Sequence, residues 1–172
     1  MNPAPSLLIV EDEQDLRDIL SEELSTLNFR VLTAKDGVEA LDLIKRDSQI
    51  IAVLSDIKMP QMTGLQFLEK ARTLGYEMPV VFLTGNSEKA LLTEALRLGA
   101  MGFIEKPFKT DDLLHTVKQA LRLGLLLRGI KGEFQRLFEK YDISPDDQKK
   151  IWELQSRALA VRSEGISTDK AK

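Results

Sequence analysis

The sequence predicts an α/β protein in which a parallel sheet is covered by helices on both faces, a doubly wound sandwich. Three observations predict it. Five short apolar runs alternate with five stretches of helical periodicity over residues 7–121. The first, third and fourth runs are apolar at nearly every position, as in strands buried on both faces. The 172 residues supply one ordinary domain and a remainder of about forty.

Leu7-Leu8-Ile9-Val10 is too compact for a helix and is read as the first strand, ended by Glu11-Asp12-Glu13. A helix follows with Leu16, Ile19, Leu20 and Leu24 on one face. Phe29–Thr33 is the second strand, and Asp36-Gly37 leads into a helix carrying Val38, Ala40, Leu41 and Ile44. Ile50–Leu54 is the third strand, ended by Ser55-Asp56; Thr63-Gly64 then precedes a helix with Leu65, Phe67, Leu68 and Ala71 as core. Pro79–Leu83 is the fourth strand, ended by Thr84-Gly85, and Ser87 can cap the helix bearing Ala90, Leu91, Ala95 and Leu98. Met101–Ile104 is a weaker fifth strand, followed by Glu105-Lys106-Pro107. Thr110-Asp111-Asp112 starts a fifth helix through Leu113, Leu114, Val117 and Leu121. Right-handed crossovers join such strands.

Composition removes whole classes of function. With 0 Cys there are no disulfides, thiolate metal sites or cysteine nucleophiles. The 1 His, His115, sits on the fifth helix and is expected at the solvated surface, so a multi-histidine metal site is excluded. A hydrophobic share of 43% beside 6 Pro and 10 Gly argues for a packed core over disorder. No apolar run nears the roughly 20 residues that span a bilayer, and Met1–Ser6 does not fit a signal peptide. A cytoplasmic protein with no membrane contact is expected. The net charge of −3 is too weak for general polyanion binding. It divides unevenly: residues 1–125 carry 14 basic and 19 acidic side chains, and residues 126–172 carry 10 and 8.

In a doubly wound sheet, ligands bind beyond the carboxyl ends of the strands. There the sequence puts Glu11 and Asp12, Asp56, Thr84 and Lys106. Crowded carboxylates repel unless a proton or a cation relieves them. A hard divalent cation such as Mg²⁺, which takes one or two carboxylates plus a phosphate oxygen, is the natural solution. An ammonium opposite a carboxylate suits phosphate, and an Asp can attack phosphorus to form an aspartyl-phosphate. The set is a metal-assisted phosphoryl acceptor. Asp56 or Thr84-Gly85 alone would be ordinary turn residues; the combination carries the functional reading.

At these positions the chain resembles the receiver domains of bacterial two-component response regulators. The resemblance lies in Leu8–Glu13, Ser55–Pro60 with Gly64, Val81–Gly85 and Phe103–Phe108, in matching order over about residues 6–123. It implies the flavodoxin-like strand order 2-1-3-4-5, for which a receiver is a known example. It implies Asp56 as phosphoacceptor from a sensor histidine kinase or phosphotransfer protein, with Thr84 and Lys106 assisting. Glu11, Asp12, Asp56 and the main-chain carbonyl of Lys58 would hold Mg²⁺. Thr84 and Phe103 would be switch residues, and Lys106-Pro107 a cis peptide. Such a protein is no conventional enzyme; it switches contacts with a downstream protein target. The acidic pair is Glu-Asp where Asp-Asp is commoner, and Phe103 lacks a tyrosine hydroxyl, so a switch there works by burial. Lys58 and Asn86 occupy positions that tune hydrolysis of the aspartyl-phosphate. Gly64 is expected to permit a tight turn.

Residues 1–125 are thus a receiver, and 126–172 a C-terminal α-helical hairpin whose last ten or so residues are expected to be disordered. The seam runs to Gly124 and then shifts to Leu127, Ile130, Phe134, Leu137 and Tyr141, while Gly124, Gly129 and Gly132 weaken the helix. Ser144-Pro145-Asp146-Asp147 begins another helix, followed by Ile151, Trp152, Leu154, Ala158 and Val161. Exposed Phe134, Phe138 and Trp152 favour a homodimer or partner docking over a mere extension of the core. The alternative, a transcriptional regulator binding DNA through these helices, lacks a winged or helix-turn-helix pattern. A phosphatase acting on free phosphomonoesters would need a cap domain that this pattern does not supply.

Overall fold

A computed structural model describes residues 4–85, 89–151, 153 and 154, with the backbone alone at 89 and 90. The expectations for Asn86, Ser87, the side chain of Ala90, Trp152, Ala158, Val161 and the last ten residues lie outside them. The order is β1 (Ser6–Val10), α1 (Gln14–Ser25), β2 (Arg30–Ala34), α2 (Gly37–Arg46), β3 (Ile50–Asp56), α3 (Gly64–Thr73), β4 (Val80–Thr84), α4 (Lys89–Arg97), β5 (Gly102–Glu105) and α5 (Thr110–Lys140). The five strands form one parallel sheet in the order β2-β1-β3-β4-β5. The sequence reading of the sheet therefore holds.

Alternation along each strand feeds two cores. Leu8, Val10, Val53 and Phe82 pack with Ala40 and Ile44 of α2, Phe67 and Leu68 of α3 and Ala95 of α4. Leu7, Ile9, Leu54 and Leu83 pack with Leu20 and Leu24 of α1 and Leu113, Val117 and Leu121 of α5. Local chemistry marks the helix starts. The Asp36 carboxylate accepts from the amides of Val38 and Glu39 at 2.8 and 2.9 Å, and Thr63 with Gln66 closes a capping box on α3.

Several expectations change. Ile19 is 53% exposed, because the buried face of α1 steps by four through Leu20 and Leu24, leaving Ile19 one position off it. Gly64 has no left-handed backbone; a Cβ there would lie 2.2 Å from the Asp56 carbonyl, so close approach is what excludes a side chain. The positive φ of that loop, 62°, belongs to Gln61. At Gly124, where the sequence predicts a weakened helix and a shifted seam, α5 continues. It runs unbroken from Thr110 to Lys140, and a Cβ on Gly124 would lie 2.0 Å from the Ile51 carbonyl. The glycine lets the helix cross the start of β3.

The chain divides into two compact units, Met1–Arg128 and Gly129–Lys172. In the second, Phe138 is buried, so it is not the exposed anchor expected of it. Its ring lies 5.9 Å from that of half-buried Phe134. The inner face thus follows Ile130, Phe134 and Phe138, while Leu137 and Tyr141 point to solvent. The helix ends in a turn with Asp142 at φ 50°. Ser144 then caps a helical stretch over 145–151, its hydroxyl accepting from the Asp147 amide at 3.2 Å.

Candidate functional site

The site lies at the carboxyl edge of the sheet. Parallel strands end there in register, Val10 beside Ser55 and Asp56 beside Leu83, so residues far apart in sequence converge. Glu11 follows β1 and is almost wholly buried, 1% exposed; its amide donates to the Ala34 carbonyl at 3.1 Å. Asp12 beside it is exposed, and Asp56 at the end of β3 is partly buried. One carboxylate oxygen from each of Glu11, Asp12 and Asp56 lies within 4.8 Å of the others.

Lys106, just past β5, reaches into this cluster. Its Nζ donates to Glu11 Oε2 at 3.0 Å and to Asp56 Oδ2 at 2.9 Å. The other Asp56 oxygen accepts from the Ile57 amide at 2.6 Å. The Lys106-Pro107 peptide is cis, as the resemblance implied. Burial is the largest influence on Glu11 and raises its pKa; the Asp56 charge adds to this, while the Lys106 ammonium opposes it. For Lys106, burial alone would lower the pKa, but its hydrogen bonds and charge interactions with Asp56 and Glu11 outweigh that and raise it. The ammonium is therefore firmly charged.

Thr84 ends β4, is buried, and turns its hydroxyl to the Gly85 carbonyl at 3.2 Å. Its own carbonyl accepts from the Lys106 amide at 2.8 Å, tying these two strand ends together. Phe103 lies one layer deeper, half-buried, its ring stacked 6.2 Å from that of Phe82. Lys58 lies exposed in the loop from β3 to α3. His115 is exposed and hydrogen-bonded with Gln119 at 3.0 Å.

The sequence reading missed Arg17. Its Nη1 donates to the carbonyls of Glu11 and Asp12, at 2.6 and 3.2 Å. One turn into α1, it braces the acidic turn through backbone groups. An Arg some five residues after an acidic strand end is the only trace of this in sequence, and many surface arginines share it.

The response regulator receiver domain family model matches residues 7–118. The chain belongs to that family. It carries the receiver domain of a two-component response regulator, a phosphoacceptor rather than a conventional enzyme. It is 36% identical over 131 residues to the regulatory protein AtoC of Escherichia coli, covering 76% of this chain and 28% of that protein. It is 34% identical over 141 residues to the Regulator of RpoS of the same organism, covering 82% and 42%. Thus the match spans less than half the length of each of these relatives. Among solved structures, a response regulator receiver domain protein from Clostridium thermocellum superposes with a TM-score of 0.67 at 27% identity, over 72% of this chain and 98% of that one. Receiver domains bind Mg²⁺ at an acidic triad like Glu11, Asp12 and Asp56, and pair with histidine kinases. Among the described residues, no helix is long and apolar enough to cross a membrane.

Proposed function

We propose that Asp56 accepts a phosphoryl group from the phosphohistidine of a sensor kinase or phosphotransfer protein, and that the receiver thereby switches its contacts with a downstream protein. One observation carries this most: the Lys106 ammonium joins Asp56 and Glu11, with an Asp12 oxygen within reach of both carboxylates. Three carboxylates facing one ammonium leave negative charge uncompensated in a partly buried pocket, which fits a hard divalent cation. Glu11, Asp12 and Asp56, with the Lys58 carbonyl, would hold Mg²⁺. When bound, it would neutralise charge on the transferring phosphoryl oxygens.

In the transfer, the phosphorus–nitrogen bond of the donor breaks as an Asp56 carboxylate oxygen bonds to phosphorus. The imidazole leaves with the nitrogen lone pair and is then protonated. The ammonium of Lys106 moves its contact from the Asp56 carboxylate to a phosphoryl oxygen. The new charge draws in the hydroxyl of Thr84, which gives up its Gly85 carbonyl. Phe103 follows by changing its burial beside Phe82. The readout is a shift in population of the α4–β5–α5 face. Residues 1–125 act as the switch, and the extension 126–172 serves dimerisation or docking of another protein.

Incubation of the full chain with acetyl phosphate and Mg²⁺, read by intact mass, tests the assignment. Asp56→Asn should abolish the Mg²⁺-dependent label. A label that survives that substitution overturns the role of Asp56.

A further inference from the structure

Arg72, in the last turn of α3, makes an unusual set of contacts. Nη1 donates to the Tyr76 carbonyl at 2.7 Å, and Nη2 donates to the carbonyls of Met78 and Gly99, each at 3.1 Å. All three acceptors are main-chain. Two belong to the connection from α3 to β4, the third to the turn from α4 to β5. That turn is sharply built: Gly99 has φ 79°, its amide donates to Leu96 O at 3.0 Å, and the Ala100 amide donates to Ala95 O at 2.9 Å. These bonds close the C-terminal end of α4. The next amide, Met101, enters the sheet on Val80 O at 2.8 Å. Burial lowers the pKa of Arg72 to about 10, against the raising effect of Glu77, so it remains charged at neutral pH.

One end of α4 is thus tied, through one guanidinium, to the end of α3 and to the entry of β4. The other end of α4 follows Thr84, whose hydroxyl is the group that phosphorylation displaces in the reading above. Resting on that reading, we propose that Arg72 is a positioning residue that fixes the C-terminal end of α4. A displacement at Thr84 then pivots α4 about Gly99 instead of carrying the whole helix with it. The planar fork of Arg suits this. It presents several N–H groups in fixed directions to carbonyls in different turns, which a Lys ammonium on a flexible stem cannot do.

The test uses the full chain as wild type, Arg72→Lys and Arg72→Gln, each with and without acetyl phosphate and Mg²⁺. Intact mass reads the label on Asp56, and amide hydrogen exchange reads α4 and residues 98–101. In the wild type, the change on labelling should be largest toward the Thr84 end of α4 and fade toward Gly99. Both variants should take the label at the wild-type rate. Before labelling, their amides at Ala100 and Met101 should exchange about tenfold faster, the loss expected for hydrogen bonds to a charged donor. After labelling, their change should extend through Met101. Lys keeps the cation if Gln proves too unstable to fold. A wild-type profile that is uniform along α4, or the same graded profile in the variants, overturns the pivot while leaving the phosphoacceptor role standing. Failure of the wild type to take any label removes both.

Discussion

Strand β3 meets a glycine at each end, and the two ends make opposite use of the same tight packing. At its start, Gly124 of α5 leaves no room for a Cβ against the Ile51 carbonyl, and at its end Gly64 of α3 does the same against the Asp56 carbonyl. Near the first end, Gln49 accepts from Arg128. At the second end sit Asp56, Glu11 and Lys106, whose ion pairs are partly or wholly out of water. The lesson is that close packing alone does not make a site. Both ends are closely packed, but only the second gathers three carboxylates around one ammonium.

The most damaging substitution should be Gly64→Ala, which presses a methyl on the Asp56 carbonyl, the Phe82 ring and the Ser55 hydroxyl together. Overpacking against backbone costs about 3 kcal/mol, and the distortion falls on the phosphoacceptor. Denaturant unfolding should show the loss of stability, and intact mass a loss of Asp56 labelling. Gly124→Ala meets the Ile51 carbonyl just as closely, but Ala regains about 1 kcal/mol of helix propensity, leaving a net loss of about 2 kcal/mol. Labelling of the folded protein should be unchanged. If it falls as far as in Gly64→Ala, the two ends of β3 are not separable.

Lys106→Met sharpens the charged end. It strands Glu11, 1% exposed, beside Asp56 with no cation, at a cost of about 2 kcal/mol near pH 8 in chelator. The sign with pH follows from Glu11. Its folded pKa is already raised by burial, and loss of the ammonium raises it further. The folded variant then binds a proton more readily than the unfolded chain, so stability rises as pH falls through that raised value. In the wild type, Lys106 has its pKa raised, so its contribution is complete below the ordinary lysine range at both pH values. Thermal melts of the pair should therefore differ more at pH 8 than at pH 5; an equal or larger gap at pH 5 would break this account. The smallest effect is expected from Asp36→Ala, which removes the cap of α2 at about 1 kcal/mol and should leave labelling intact.

The sheet and its carboxyl-edge residues were legible because both depend on local pattern. Apolar runs such as Leu7–Val10 and Ile51–Leu54 mark buried strands, and the residue that ends each run falls at the edge by geometry. Where one position decides a face, the pattern failed: Ile19 is exposed beside buried Leu20, and Leu137 is exposed beside buried Phe138. Gly124 read only as a residue that weakens the helix, since the Ile51 carbonyl that demands it is over seventy residues away. Arg17 and Arg72 bind main-chain carbonyls. Every residue carries such a carbonyl, so neither arginine leaves a partner to be seen in the sequence.

The strand order leaves β2 and β5 at the two rims of the sheet, and both rims are short, five and four residues. Arg30 opens the first and Glu105 closes the second, both exposed. A long, apolar rim strand, with its unpaired amides and carbonyls, would offer a second chain a template to add to. Short, charged margins deny it that. Two copies of the chain brought close together are therefore kept from joining rim to rim.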